Sequence, residues 1–104
     1  MGRLRPEFLT RVEAFGDRML DLVDALDRKR VRERVLSQMT GCGTSVGANA
    51  YEASEAVSRK DFCKCIGTCV KELSESRYWI RLSGRRGWVK IDQVQGLEQE
   101  SLEE

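Results

Sequence analysis

Apolar residues recur along this chain at alternating intervals of four and three. Phe8, Val12, Phe15, Met19, Leu22 and Leu26 form the clearest line. That spacing places them on one face of a helix with a core on one side only. Arg11, Glu13, Asp17, Arg18, Asp21 and Asp24 fall off the line and belong to solvent. Pro6 suits the first turn, where a missing N–H is harmless. A second seam runs through Val35, Met39 (or Gln38), Cys42, Val46, Asn49, Ala53 and Ala56. A third joins Phe62, Ile66, Cys69, Leu73, Ser76 and Ile80. Ser58, with Asp61 three residues on, comes close to a capping box. Ser83-Gly84 supplies a stop for that helix. Asp92, followed by Val94, Leu97 and Leu102, marks a short fourth helix. The pattern predicts helices over 6–27, 30–57, 59–83 and 92–103.

The connections between the first three are short, so consecutive helices should run antiparallel. The expected fold is all-α: one domain over 1–104, an antiparallel up-down-up-down four-helix bundle with a short or incomplete fourth helix. The second helix contains Gly41, Gly43 and Gly47. Each costs about 1 kcal/mol relative to Ala inside a helix. A neighbouring helix approaching over a small-residue face would compensate.

Charge changes the picture. The 104 residues hold 18 Lys and Arg against 17 Asp and Glu, a net charge of +1. Residues 92–104 contain five acids (Asp92, Glu98, Glu100, Glu103 and Glu104) and no base, leaving 12 acids against 18 bases in residues 1–91. The body is therefore basic, with an acidic tail. No apolar run is long enough to span a membrane and no signal peptide precedes the first helix, so a soluble cytoplasmic protein is expected.

In an up-down-up-down bundle the first and third connections share one end. Arg28, Lys29, Arg30, Arg32 and Arg34 lie around the first connection. Arg81, Arg85, Arg86 and Lys90, with Trp88 among them, lie around the third. These nine cations should converge as a cap able to bind phosphates. Trp88 could stack an unpaired base. The competing reading is a solvated basic end with Trp88 folded down as a plug.

Other chemistry is poorly supported. The four cysteines, Cys42, Cys63, Cys65 and Cys69, lack the paired spacing of a zinc site and have no His to join them, so they are expected to be small hydrophobes on helices. The glycines around Cys42 lack the Gly-Lys-Ser/Thr and preceding strand of a phosphate loop. Ser45 has no sequence neighbour to activate it as a nucleophile. No enzyme activity, cofactor or metal is expected.

The segment Thr44-Ser45-Val46-Gly47-Ala48-Asn49-Ala50-Tyr51-Glu52-Ala53, then Ser58-Arg59-Lys60-Asp61-Phe62, Lys71-Glu72, Glu75 and Tyr78-Trp79, resembles the small bacterial four-helix-bundle family known from the protein encoded by the intervening sequence of 23S ribosomal RNA genes. The resemblance spans roughly Phe8 to Leu82. It implies a barrel-shaped homopentamer and similarity to the accessory protein of diversity-generating retroelements, which works with a reverse transcriptase and RNA. Asn49, Glu52, Glu72 and Glu75 match the family motif. With Ser45 they are expected to make helix-to-helix hydrogen bonds that set register, a role known for buried Asn. Cys63, Cys65 and Cys69 depart from the aliphatic or basic residues expected at their positions.

Two functions follow. The first is a non-enzymatic, oligomeric bundle binding RNA, or a partner that processes nucleic acid, through its basic end. The alternative is a structural ring that docks a protein and binds no nucleic acid. A third, thiol-based metal or redox role rests on the cysteines alone.

Overall fold

The computed structural model describes residues 4–90 together with Gly96 and Gln99. Three helices, α1 (Pro6–Arg28), α2 (Glu33–Ser54) and α3 (Arg59–Arg85), make up the described fold, and no strand occurs among these residues. The fourth helix expected over 92–103 falls outside the described residues except at Gly96 and Gln99, which are both helical.

The α1 seam is where its spacing put it. Val12, Phe15, Met19, Leu22 and Leu26 are buried, and Phe8 is half-buried at the open end. On α2 the buried set is Leu36, Met39, Cys42, Gly43, Val46, Ala50 and Ala53. Val35, Asn49 and Ala56, expected on the seam, are only half-buried, and Gln38 is exposed. The cause is position. α1 and α3 each pack on α2 but not on each other, so α2 buries a wider arc than one seam. On α3 the face is turned slightly from expectation: Cys65 and Ser83 join Cys69, Leu73, Ser76 and Ile80 in burial, while Phe62 and Ile66 are half-buried.

Close contacts give the register. A Cβ built on Gly43 would lie 2.8 Å from Met19 Cβ, and one on Gly47 would lie 3.8 Å from the Val12 carbonyl oxygen. Rising numbers on α2 therefore meet falling numbers on α1, and the pair is antiparallel. Cys69 Sγ donates to the Val46 carbonyl at 3.4 Å, and Cys42 lies beside Ser76. α2 and α3 are antiparallel too. Gly43 carries the closest approach: any side chain there meets Met19 at its root, not at a flexible tip.

Two helix ends share one construction. After α3, Gly87 takes the left-handed φ of 70°. Gly87 N–H donates to the Gly84 carbonyl and Trp88 N–H to the Ser83 carbonyl, both at 3.1 Å. This paired closure is a Schellman turn. α3 thus runs on to Arg85, past the stop expected at Ser83-Gly84. After α1 the same bonds recur, from Arg30 N–H to Asp27 and from Val31 N–H to Leu26 at 2.9 and 3.1 Å. Here the left-handed residue is Arg30, with φ 61°. That turn, followed by extended Arg32, delays α2 to Glu33 instead of residue 30. At the far end α2 stops at Ser54, before the expected 57, because Ser58 must be extended to cap α3. Its hydroxyl accepts from the Asp61 N–H at 3.1 Å.

Candidate functional site

The antiparallel register brings the end of α1, the start of α2 and the end of α3 to one end of the molecule. Arg28, Lys29, Arg30, Arg32, Arg34, Arg81, Arg85, Arg86 and Lys90 are all exposed. Arg28, Lys29 and Lys90 line one open cleft of about 620 Å³, whose floor includes Ala25, Gly84 and Val89. Trp88 is half-buried and packed against the core cluster, so it plugs the bundle and is not a free stacking platform. The end is not uniformly basic. Asp24, Asp27 and Glu33 line a second cleft of about 450 Å³ along α1 and α2. Arg28, Lys29 and Lys90 gather instead on the side that faces the end of α3.

Local stability accounts for some of these cations and not for others. Helix C-termini favour positive charge, which suits Arg28 and Lys29 at the end of α1 and Arg85 and Arg86 at the end of α3. Arg32 and Arg34 sit at the N-terminus of α2, where the helix dipole disfavours positive charge. Arg32 is the N-cap and makes no side-chain cap bond. Arg30 holds a left-handed backbone that a Cβ penalises by about 1–2 kcal/mol.

The polar set is arranged differently from expectation. Asn49 Nδ2 donates to the Ser45 carbonyl at 2.9 Å and to Ser45 Oγ at 3.0 Å. Trp79 Nε1 donates to Glu75 Oε2 at 3.1 Å. These bonds run along their own helices, because partners four residues apart share a face. They do not tie helix to helix. Glu72 is half-buried and Glu52 exposed. Partial burial and the nearby Glu75 raise the Glu72 pKa, with Lys71 opposing. A cross-helix bond that spacing did not suggest joins α2 to α1: the Tyr51 hydroxyl donates to the Glu13 carboxylate, which raises the tyrosine pKa.

Cys42, Cys65 and Cys69 are buried, as expected of small hydrophobes, and Cys63 is exposed. Burial pushes the Cys42 and Cys69 thiols up to about 11. Burial also raises Cys65, with Asp61 and Glu52 adding to it. Among the described residues no group of three metal-ligating His, Cys, Asp or Glu side chains forms. Thiolates, not thiols, react with alkylating agents. Iodoacetamide at pH 8 should therefore add one label per folded chain, at Cys63, and four in denaturant, counted by intact mass. The same thiols set a pH effect. Their folded pKa lies above the usual 9.0, so their contribution to stability is intact below pH 9 and is lost as pH rises towards 11. Denaturant midpoints measured across that window should fall.

Taken together, the geometry defines an all-helical protein whose antiparallel helices flank a central α2 and gather cations at one end. The chain belongs to the 23S rRNA-intervening sequence protein family, whose model matches residues 9–104. It is similar to a crystal structure from Bacteroides thetaiotaomicron, of a protein with unknown function from the S23 ribosomal protein family. The two share 29% identity and a TM-score of 0.86, over 91% of this chain and 88% of that one. No curated protein matches the chain. No described helix is long and apolar enough to cross a membrane.

Proposed function

We propose that this chain is a non-enzymatic, cytoplasmic, oligomeric four-helix-bundle protein that binds RNA through its basic end. The observation that carries this reading is the placement of Arg30, Arg32 and Arg34. Arg32 and Arg34 hold cations at a helix N-terminus, which disfavours them, and Arg30 keeps a long side chain on a left-handed backbone that favours glycine, all at the same end as Arg28, Arg85 and Arg86. Phosphate recognition gives such residues a role. The family's name, that of a protein tied to a ribosomal RNA gene, agrees with an RNA ligand. Closure of the bundle by a fourth helix is supported by α1 and α3 lying on separate flanks of α2. It is also supported by Gly96, where a Cβ would lie 3.7 Å from Arg18 Nη2 on α1. By family resemblance the oligomer is a homopentamer. Five basic ends on one face would then sum to a strong field. A reverse-transcriptase-like enzyme that shares the RNA is the corresponding protein partner.

A second reading, a ring that docks a protein and no nucleic acid, is favoured by Val70 and Tyr78. They are 56% and 53% exposed on the outer side of α3. Light scattering on protein purified at low salt, with absorbance at 260 and 280 nm across the peak, separates the two. A pentamer whose nucleic acid is stripped by high salt supports RNA binding. A clean pentamer supports the docking ring, and a monomer contradicts the assembly.

Arg30 allows fold and function to be split. Arg30→Gly removes the left-handed strain and should raise stability by about 1 kcal/mol. It should also weaken RNA binding severalfold. A thermal melt and an anisotropy titration on one preparation check both.

A further inference from the structure

The cleft beside Arg28, Lys29 and Lys90 differs from the rest of the basic end. Its floor is apolar, formed by Ala25 and Val89, and Gly84 and Gly87 line it without side chains. A Cβ at Gly87 would meet nothing within 4 Å, so the cleft is open above the turn. Its volume, about 620 Å³, lies within the range of small-ligand sites, about 300–1,000 Å³. A patch that served only as a counter-charge for a duplex backbone would need no such floor.

The geometry points to this cleft as the seat of one unpaired nucleotide. This deepens the RNA-binding reading and rests on it. The base lies face-down on Ala25 and Val89, and its phosphate meets the cations at the rim. A base inside a duplex has both faces covered by its neighbours and cannot present one to the floor. An unpaired base can, and every base has a face to offer, so the seat discriminates strandedness and not sequence. Trp88 is half-buried against the core and does not line the cleft, so the floor stacks a base without an aromatic ring, and the preference for single strands is modest. The remaining cations, Arg30, Arg32, Arg34, Arg81, Arg85 and Arg86, follow the backbone on either side and supply the salt-dependent part of binding.

The test uses the full chain with two probes of equal phosphate count, a fluorescent oligouridylate and a blunt RNA duplex. Wild type should prefer the oligouridylate by about threefold, less than the roughly tenfold step of a base stacked on an aromatic ring. Ala25→Leu fills the floor of the cleft with an aliphatic side chain, adding no ring on which a base could stack and touching no cation. It should abolish that preference and leave duplex binding within about twofold. Because Ala25 is half-buried, a melt must first show that the variant folds. Amide shifts in wild type give an independent readout: Gly84, Gly87 and Val89 should move with oligouridylate and not with the duplex. If Ala25→Leu folds and keeps the preference, or if those amides stay still while oligouridylate binds, the nucleotide seat is wrong and the basic-end reading stands. If neither probe binds wild type, both fall.

Discussion

Replacing Arg28, Arg30, Arg85 and Arg86 together with glutamate should reduce affinity for single-stranded RNA by three orders of magnitude or more at low salt. Each residue contributes a cation at the shared end of the three helices, and all four are exposed. Losing four phosphate contacts removes about 0.7 × 4, or roughly 3, from the slope of log affinity against log salt for a single strand. Reversal adds repulsion to that loss. Binding and its salt dependence should disappear together in a filter or anisotropy titration. The fold should tolerate the change, because none of the four is buried, although negative charge at the C-termini of α1 and α3 will cost some stability. Unaltered RNA binding in the folded variant would move the interface elsewhere on the molecule.

Gly43→Leu should destabilise the protein by about 3 kcal/mol, and Gly41→Ala, two residues away, should stabilise it by about 1 kcal/mol. The contrast arises because one helix carries both glycines on different faces. At Gly43 an added Cβ would sit 2.8 Å from Met19 Cβ and 3.0 Å from its Cγ, so α1 must move away. At Gly41 it would meet nothing within 4 Å, and only the entropy of glycine in a helix is removed. For a domain of this size a loss of 3 kcal/mol is a large share of total stability. Urea midpoints of the two variants should move in opposite directions. A stable Gly43→Leu protein would mean that α1 and α2 do not cross at Met19.

These two glycines also show what the sequence could and could not reveal. Three helices and their antiparallel order followed from spacing and short connections. So did the Ser58 cap, because a hydroxyl ahead of a helical run has one common use. A small-residue face on α2 was foreseeable, but which glycine bore the contact was not. That depends on the rotation of α1, which no local pattern fixes. The wide buried arc of α2 was missed for the same reason: a single seam assumes one neighbour, and α2 has two. The α1–α2 boundary was misplaced because Arg30 occupies a position that glycine usually marks, as Gly87 does after α3. The nine cations came together as topology required. The acidic cleft along Asp24, Asp27 and Glu33 was not anticipated, because these acids are spread over two helices. Asn49 and Glu75 bond within their own helices, and a motif match alone names a residue and not its partner.

The central claim is that the basic end binds RNA through its phosphates, and counterion release measures this most directly. The association constant of wild type for a single-stranded RNA should be measured between 50 and 300 mM salt. A steep fall, with a log–log slope of about −3 or steeper, is the predicted result. A slope near zero, or no binding at the lowest salt, would contradict it.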